Sequence, residues 1–438
     1  MFATSEFKQR RKQLMRRMKK HGIALVASAP PSVRTKDVEF PYRQNSDFHY
    51  LTGFSEPESV AIIAPGRKSG EFILFCREYD ENKAIWTGKH AGLEGAREQF
   101  GADEAFPINE LHELLPDLLD GRGPVYFLIG VDPELDHRVM AAVNEVRGKV
   151  RTGAKAPTEF ISLERLVHEM RLFKSPAEIS AMRRAAEVSA LAHQRAMRTC
   201  RPGIHEYEIE AELLHEFMRH GLRSPAYSCI VAGGDNASVL HYTANNEPLR
   251  DGDLVLIDAG AEYQNYAADI TRTFPVNGRF TEPQRQLYEL VLEAQYAAID
   301  QVGPGRHWNE PHDAAIHVLT KGLVKLGLLE GRVSKLIKNE AYKKFYMHRT
   351  GHWLGMDVHD VGDYKVDGEW RVLEPGMVMT VEPGLYVSIG CMEVDPRWRG
   401  IGVRIEDDVL VTKGGCEILT AAAPKTVAEI ETLMGACS

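Results

Sequence analysis

The sequence predicts two domains of different class: an α/β domain over residues 1–173 and an α+β domain over residues 174–438 with a pseudo-twofold internal repeat. Three observations carry this. Strand-like and helix-like runs alternate through the first domain. A strongly capped helix start stands at Ser175-Pro176-Ala177-Glu178. The stretch Leu249–Gly260 aligns without gaps on Leu373–Gly384. A chain of 438 residues allows two or three domains of about 150 residues each and a large core without staples.

The first element is basic. Eight Lys or Arg residues lie between Lys8 and Lys20, with one apolar stripe at Phe7, Leu14, Met15 and Met18. That spacing is helical. No apolar signal core follows, so the reading is a solvated amphipathic helix rather than a targeting segment or a nucleic-acid arm. Ser59–Ala64, Glu71–Cys76 and Val125–Val131 read as strands, rich in β-branched and aromatic residues. Helices fall around Ala91–Phe100 and Ile108–Leu119, and such alternation defines an α/β domain.

In the second domain Ser175 is a good N-cap, Pro176 suits the first helical position and Glu178 closes a capping box. This helix runs to about Cys200, before Pro202-Gly203. A second covers about Glu206–His220. A third starts at Thr281-Glu282-Pro283-Gln284 and ends at Gly303-Pro304. Each copy of the repeat is a turn, an apolar strand, an acidic residue and a closing Gly, with Asp258 falling on Glu382.

Composition excludes several classes. Hydrophobic residues at 44% and charged residues at 26% are those of an ordinary globular protein, not of a disordered or fibrous chain. The net charge of −9 argues against a nucleic-acid partner. No run approaches 18 apolar residues, so no membrane span is expected. The six cysteines (Cys76, Cys200, Cys229, Cys391, Cys416 and Cys437) are scattered without a C-x-x-C, which reads as reduced thiols in a cytoplasmic enzyme.

Carboxylates inside apolar strands need a partner, a proton or a metal. Asp258 follows Leu254-Val255-Leu256-Ile257, and Asp269 lies in Tyr266–Phe274. The two strands read as a hairpin turning near Tyr263-Gln264. That register puts 258 directly opposite 269, with Cβ atoms roughly 5 Å apart. Two anions so close call for a cation between them or a proton on one. The alternative is an Asp paired with Arg272 or an Asp serving a turn. Downstream, Glu382 ends the second repeat strand. Arg404 and Glu406 share a strand face, which also allows a purely structural Arg–Glu pair. His348 and His352 are spaced i, i+4 like two helical ligands, although Gly351 and Gly355 disfavour a helix there. Four carboxylates and one imidazole form a hard-ligand set that suits Mn2+, Co2+ or Mg2+ better than a thiolate site. Two metals sharing carboxylates activate water and clamp a carbonyl.

At these residues the chain resembles the metal-dependent peptidases of the pita-bread fold, and among them the bacterial Xaa-Pro aminopeptidase (aminopeptidase P) family. The matching stretches are Asp253–Gly260, Ala268–Pro275, His352–Gly355, Val358-His359-Asp360, Leu373–Tyr386 and Arg399–Asp408, with Tyr42–Phe54 and His168–Pro176 upstream. The resemblance covers nearly the whole chain. It implies a creatinase-like first domain and a pita-bread catalytic domain. It implies two divalent metal ions, Mn2+ first with Co2+ or Zn2+ as alternatives, held by Asp258, Asp269, His352, Glu382 and Glu406. In that family the residues matching Asp269 and Glu406 bridge the metals, and the one matching Glu382 shuttles a proton to and from the activated water. His241, His348 and His359 match histidines near the substrate. Arg404 matches a supporting arginine, and Tyr227 matches a further residue around the site. For the three histidines the alternative is a loop or core role.

The implied reaction is release of the N-terminal residue from peptides with proline second. The closest rival is a prolidase cutting Xaa-Pro dipeptides. A methionine aminopeptidase leaves the first domain unexplained, and a creatinase-like enzyme or a binding protein would lack the ligands. The resemblance also implies a homo-oligomer, a dimer or tetramer, in which Trp86 reaches a partner's site; the alternative is a buried or interface tryptophan. Two departures stand out. Arg349 follows His348 where Gly is usual, with Gly at 351, and Ala268 precedes Asp269 where Gly is frequent.

Overall fold

The computed structural model describes residues 2–435, so Cys437 lies outside the described residues. The chain divides into two compact units, one up to Arg171 and one from Leu172 onward.

The first unit is built on a six-stranded sheet. Its order is Glu104–Pro107, Phe72–Cys76, Val60–Ile63, Ile23–Ala27, Val125–Phe127 and Phe160–Ser162. Ile23–Ala27 runs parallel to Val125–Phe127 and antiparallel to Val60–Ile63. Leu111, Leu115 and Leu119 recur at helical spacing on Leu111–Leu119. With Leu135, Val139 and Val143 of Pro133–Gly148 they cover the sheet and close the core. The third expected strand stops at Phe127 rather than Val131, because the chain turns at Gly130 with φ +84°.

The first helix, Thr4–Arg17, departs from the solvated reading. Arg10 and Arg11 are buried along with Phe7 and Leu14. The Arg11 guanidinium lies 3.9 Å over the Phe72 ring and donates to Leu51 O at 2.8 Å. Arg10 lies 4.2 Å over Tyr50. Aromatic faces and carbonyls accept these cations, so part of the basic stripe packs inward.

The second unit opens with the 24-residue helix Pro176–Thr199, whose Ser175–Glu178 capping box is present as expected. Helices Glu206–Arg219, Glu282–Ile299 and Glu310–Lys325 follow; the last was not anticipated. Their apolar faces share one core with two small sheets. In one, Leu254–Asp258 lies between Ile230–Gly233 and Thr271–Pro275. In the other, Asp407–Thr412 lies between Val378–Val381 and Gly415–Ile418. Gly384–Val387 pairs with Ile401–Arg404. The two repeat copies thus supply Leu254–Asp258 and Val378–Val381, each delivering a carboxylate at or just past its end.

The hairpin register differs from expectation. Tyr263 pairs with Tyr266 across a two-residue turn at Gln264-Asn265, with φ +52° and +66°, the pattern of a type I′ turn. Asp258 therefore faces Thr271, not Asp269. The partner is displaced by two residues. Because side chains alternate with period two, this leaves both aspartates on one face, now diagonal to each other.

Candidate metal centre

Asp258 ends its strand, Asp269 lies just before Thr271–Pro275, Glu382 follows Val378–Val381, and Glu406 lies between Ile401–Arg404 and Asp407–Thr412. Strand ends release a side chain from the ladder while the backbone stays anchored. Asp269, His352 and Glu406 each offer a ligand atom within 4.8 Å of the others. His352 Nε2 lies 3.4 Å from Asp269 and 3.7 Å from Glu382. Tyr227 Oη is 2.6 Å from Asp258 and 2.5 Å from Asp269. Arg404 donates to Asp258 at 2.6 Å, to Thr271 Oγ1 at 3.0 Å and to Tyr386 Oη at 3.1 Å. Thr271 Oγ1 donates to Glu406 at 2.7 Å.

These partners replace the structural pairings weighed from sequence. Arg404 serves Asp258 rather than Glu406. Arg272 pairs with Asp407, both fully buried, rather than with Asp258 or Asp269. The His348–His352 segment is loop, not helix. His352 Nδ1 donates to Trp353 O at 2.9 Å, which fixes the ring and turns Nε2 toward the carboxylates.

Charge is unbalanced here. Burial, then repulsion from Asp269, Glu382 and Asp258, pushes the Glu406 carboxyl well above its usual range. Burial pushes Glu382 up to about 7 against the pull of His352 and Arg404. Burial likewise raises Asp258, partly offset by Arg404. Burial would raise Asp269, but the hydrogen bond and charge of His352, with Tyr227 and Arg404, together lower it. His352 is the counterpart: burial would lower it, but the bond to Asp269 and the charge of Glu382 carry it up to about 9. Tyr227 has one proton for two carboxylates, and the buried Asp408 Oδ1 beside the cluster has no partner. Oxygen acceptors exceed donors, so this donor set fits divalent cations.

Around the cluster, His348 is pushed down to about 3 by burial and by Arg404, so it is neutral. Its Nδ1 donates to Arg349 O at 2.8 Å, and Nε2 accepts from Tyr386 Oη at 2.8 Å. His359 is exposed with its ring 4.2 Å from that of His352. His241 is exposed in the loop after Gly234–Ser238, within electrostatic reach of both His348 and His359. Trp86 is 88% exposed on Glu81–Thr87, so it is not buried within its unit.

Sequence reading missed several supporting groups. Tyr386 joins His348 to Arg404. Thr380 Oγ1 accepts the His352 N–H, and Thr350 O accepts the Glu382 N–H. Thr350 Oγ1 is itself held by His312 and Tyr346 at 2.7 and 2.6 Å. Common residue types with no charge gave no signal for these roles. The Gly at 351 has a reason: a Cβ there would stand 2.1 Å from Thr380 O. Arg349 needs no glycine, since its φ is not positive, and its guanidinium lies 5.1 Å over the Trp370 ring.

A duplicated strand unit that converges four carboxylates and an imidazole defines a metal-dependent hydrolase. Comparison with known proteins makes this specific. Residues 180–413 match Metallopeptidase family M24, and residues 7–126 match the Aminopeptidase P, N-terminal domain. The chain belongs to metallopeptidase family M24 and has its pita-bread fold. It is 48% identical to the Xaa-Pro aminopeptidase of Escherichia coli, over 98% of this chain and 97% of that one. Among solved structures, aminopeptidase PepP of Pseudomonas aeruginosa is 58% identical with a TM-score of 0.99, covering 100% of this chain and 99% of that one. Zn-substituted E. coli aminopeptidase P in complex with product gives 47% identity and a TM-score of 0.97, with the same coverage. No helix among the described residues is long and apolar enough to cross a membrane.

Proposed function

We propose that this chain is an Xaa-Pro aminopeptidase, releasing the N-terminal residue from peptides with proline second. The observation that carries this is the acidic cluster itself, set in a chain alike over nearly its full length to Xaa-Pro aminopeptidases. Asp258, Asp269, His352, Glu382 and Glu406 are proposed to hold two divalent ions, Mn2+ in the cell. Such ions, when bound, supply a nucleophile from water at neutral pH and polarise the scissile carbonyl.

The rest falls to the protein. Glu382, 3.7 Å from both His348 and His352, takes and returns the proton as general base and acid. Arg404 holds Asp258 and neutralises part of the cluster. Tyr227 orients Asp258 and Asp269. His241 and His359 carry no hydrogen bond to the protein among the described residues, which suits them to meet the peptide. Neutral His348 is tied to Tyr386 and lies 3.7 Å from Glu382. Reduced thiols support a cytoplasmic setting. Trp86, exposed on a helix with no buried residue, supports a dimer or tetramer.

The test is hydrolysis of Xaa-Pro-Yaa tripeptides after chelation and after return of Mn2+, Co2+ or Zn2+. Metal-dependent release of the first residue is expected, with Mn2+ restoring most. Cleavage confined to Xaa-Pro dipeptides would establish the prolidase reading instead, and no cleavage of either would end both.

A further inference from the structure

Helix Pro176–Thr199 lies outside the acidic cluster yet holds its backbone. Ser189 and His193 stand one turn apart on this helix, both fully buried. His193 Nε2 is 2.9 Å from Ala259 O. Ser189 Oγ donates to Ala185 O at 2.8 Å and accepts the Ala261 N–H at 2.9 Å. The two side chains therefore grip the peptide groups on either side of Gly260.

Gly260 packs directly against the backbone of the strand segment that carries Asp269. A Cβ there would stand 1.7 Å from Ala268 O, so no side chain fits. Ala259 N–H donates to Ile270 O at 3.0 Å, and Ala268 N–H to Ala261 O at 3.1 Å. Asp258 precedes this corner on one strand and Asp269 lies within it on the other. A carbonyl only accepts, so Nε2 carries the histidine proton. Burial pushes His193 down to about 4, so the ring is neutral. Its Nδ1 is buried with no partner. An orphaned ring nitrogen costs free energy that an apolar side chain of similar size would not. Filling space therefore does not account for a histidine here, whereas its one hydrogen bond does.

We propose that His193, assisted by Ser189, is a positioning residue that fixes the spacing of Asp258 and Asp269 through the Ala259–Ala261 backbone, and thereby sets the affinity of the centre for its divalent ions. This rests on the reading of both aspartates as metal ligands.

The experiment uses the full chain. Mn2+ binding is measured by equilibrium dialysis, and amide hydrogen exchange over residues 255–270 is followed in the metal-free protein. His193→Leu is expected to weaken Mn2+ binding about tenfold and to speed exchange at Ala259 and Ala261. His193→Gln, which keeps an N–H at similar reach, should stay within about threefold of the parent. Ser189→Ala should speed exchange at Ala261 and weaken Mn2+ binding by a smaller factor than His193→Leu. A folded His193→Leu protein with parental affinity and exchange overturns the proposal. Should His193→Leu not fold, the other two decide: parental affinity and exchange in Ser189→Ala, or a tenfold loss in His193→Gln, overturns it. Asp258→Asn separates the two levels. Parental Mn2+ binding in that variant overturns the metal reading and the proposed effect on affinity, while exchange still reports on the grip itself.

Discussion

Replacing Glu382 by Gln should make the metal-free protein more stable while removing its capacity to be stabilised by metal. The size follows from the carboxyl's position. Glu382 ordinarily titrates at 4.5 and is pushed to about 7 in the folded chain by burial, with Asp269 and Asp258 adding repulsion. Below about pH 4.5 both folded and unfolded chains hold the proton and the group costs nothing. Between about pH 4.5 and 7 the unfolded chain releases the proton while the folded chain keeps it, so the cost grows through that window. Above pH 7 both states are ionised and the cost levels off at about 3 kcal/mol, taking 1.36 kcal/mol per pKa unit. Gln mimics the neutral form. The metal-free E382Q protein should therefore exceed the parent by about 3 kcal/mol at pH 8 and match it near pH 4.5. The assay is urea unfolding in excess chelator at both pH values, repeated with Mn2+ at pH 8, where metal binding to the parent should reverse the order. A metal-free E382Q protein less stable than the parent at pH 8 would refute the electrostatic argument.

Arg272 donates to Asp407 at 2.7 Å in full burial, beside Lys425, also at 2.7 Å. Arg272→Met should cost about 3–5 kcal/mol in urea unfolding, because Asp407 loses its main counter-charge; a loss below 1 kcal/mol would show that Lys425 alone suffices. Gly260→Ala should cost more than about 4 kcal/mol, since backbone rather than a movable side chain blocks the new methyl; a soluble variant with the parental unfolding midpoint would contradict the close approach. Arg11→Ala should destabilise by about 1–3 kcal/mol through loss of its contact with Phe72 and its bond to Leu51 O, read by thermal unfolding, with Arg11→Lys intermediate.

Much of the site was legible from residue order. A carboxylate ending an apolar strand is conspicuous, because burial without compensation is expensive, and the repeat doubled the signal at Asp258 and Glu382. The capped helix at Ser175 was equally plain, since capping chemistry is local. Strand Ile23–Ala27 was not picked out: five apolar residues without alternation read equally as helix or strand. His193 and Ser189 were also invisible, because a histidine or serine in an alanine-rich helix looks like any other core residue until the neighbouring backbone is in place.

The sequence by itself determined that two domains exist, that the second carries a duplicated strand unit, and that acids at its strand ends need a partner, a proton or a cation. Only the tertiary structure decided how they meet. It set Asp258 against Thr271 rather than Asp269 and gave Arg404 to Asp258 instead of Glu406. It also pulled residues spread over 258–406 into one cluster and pushed Glu382 toward neutrality. Register depends on a turn whose two positive-φ residues shift pairing by two, and charge pairing and burial depend on distances between segments far apart in the chain. Local preference encodes neither.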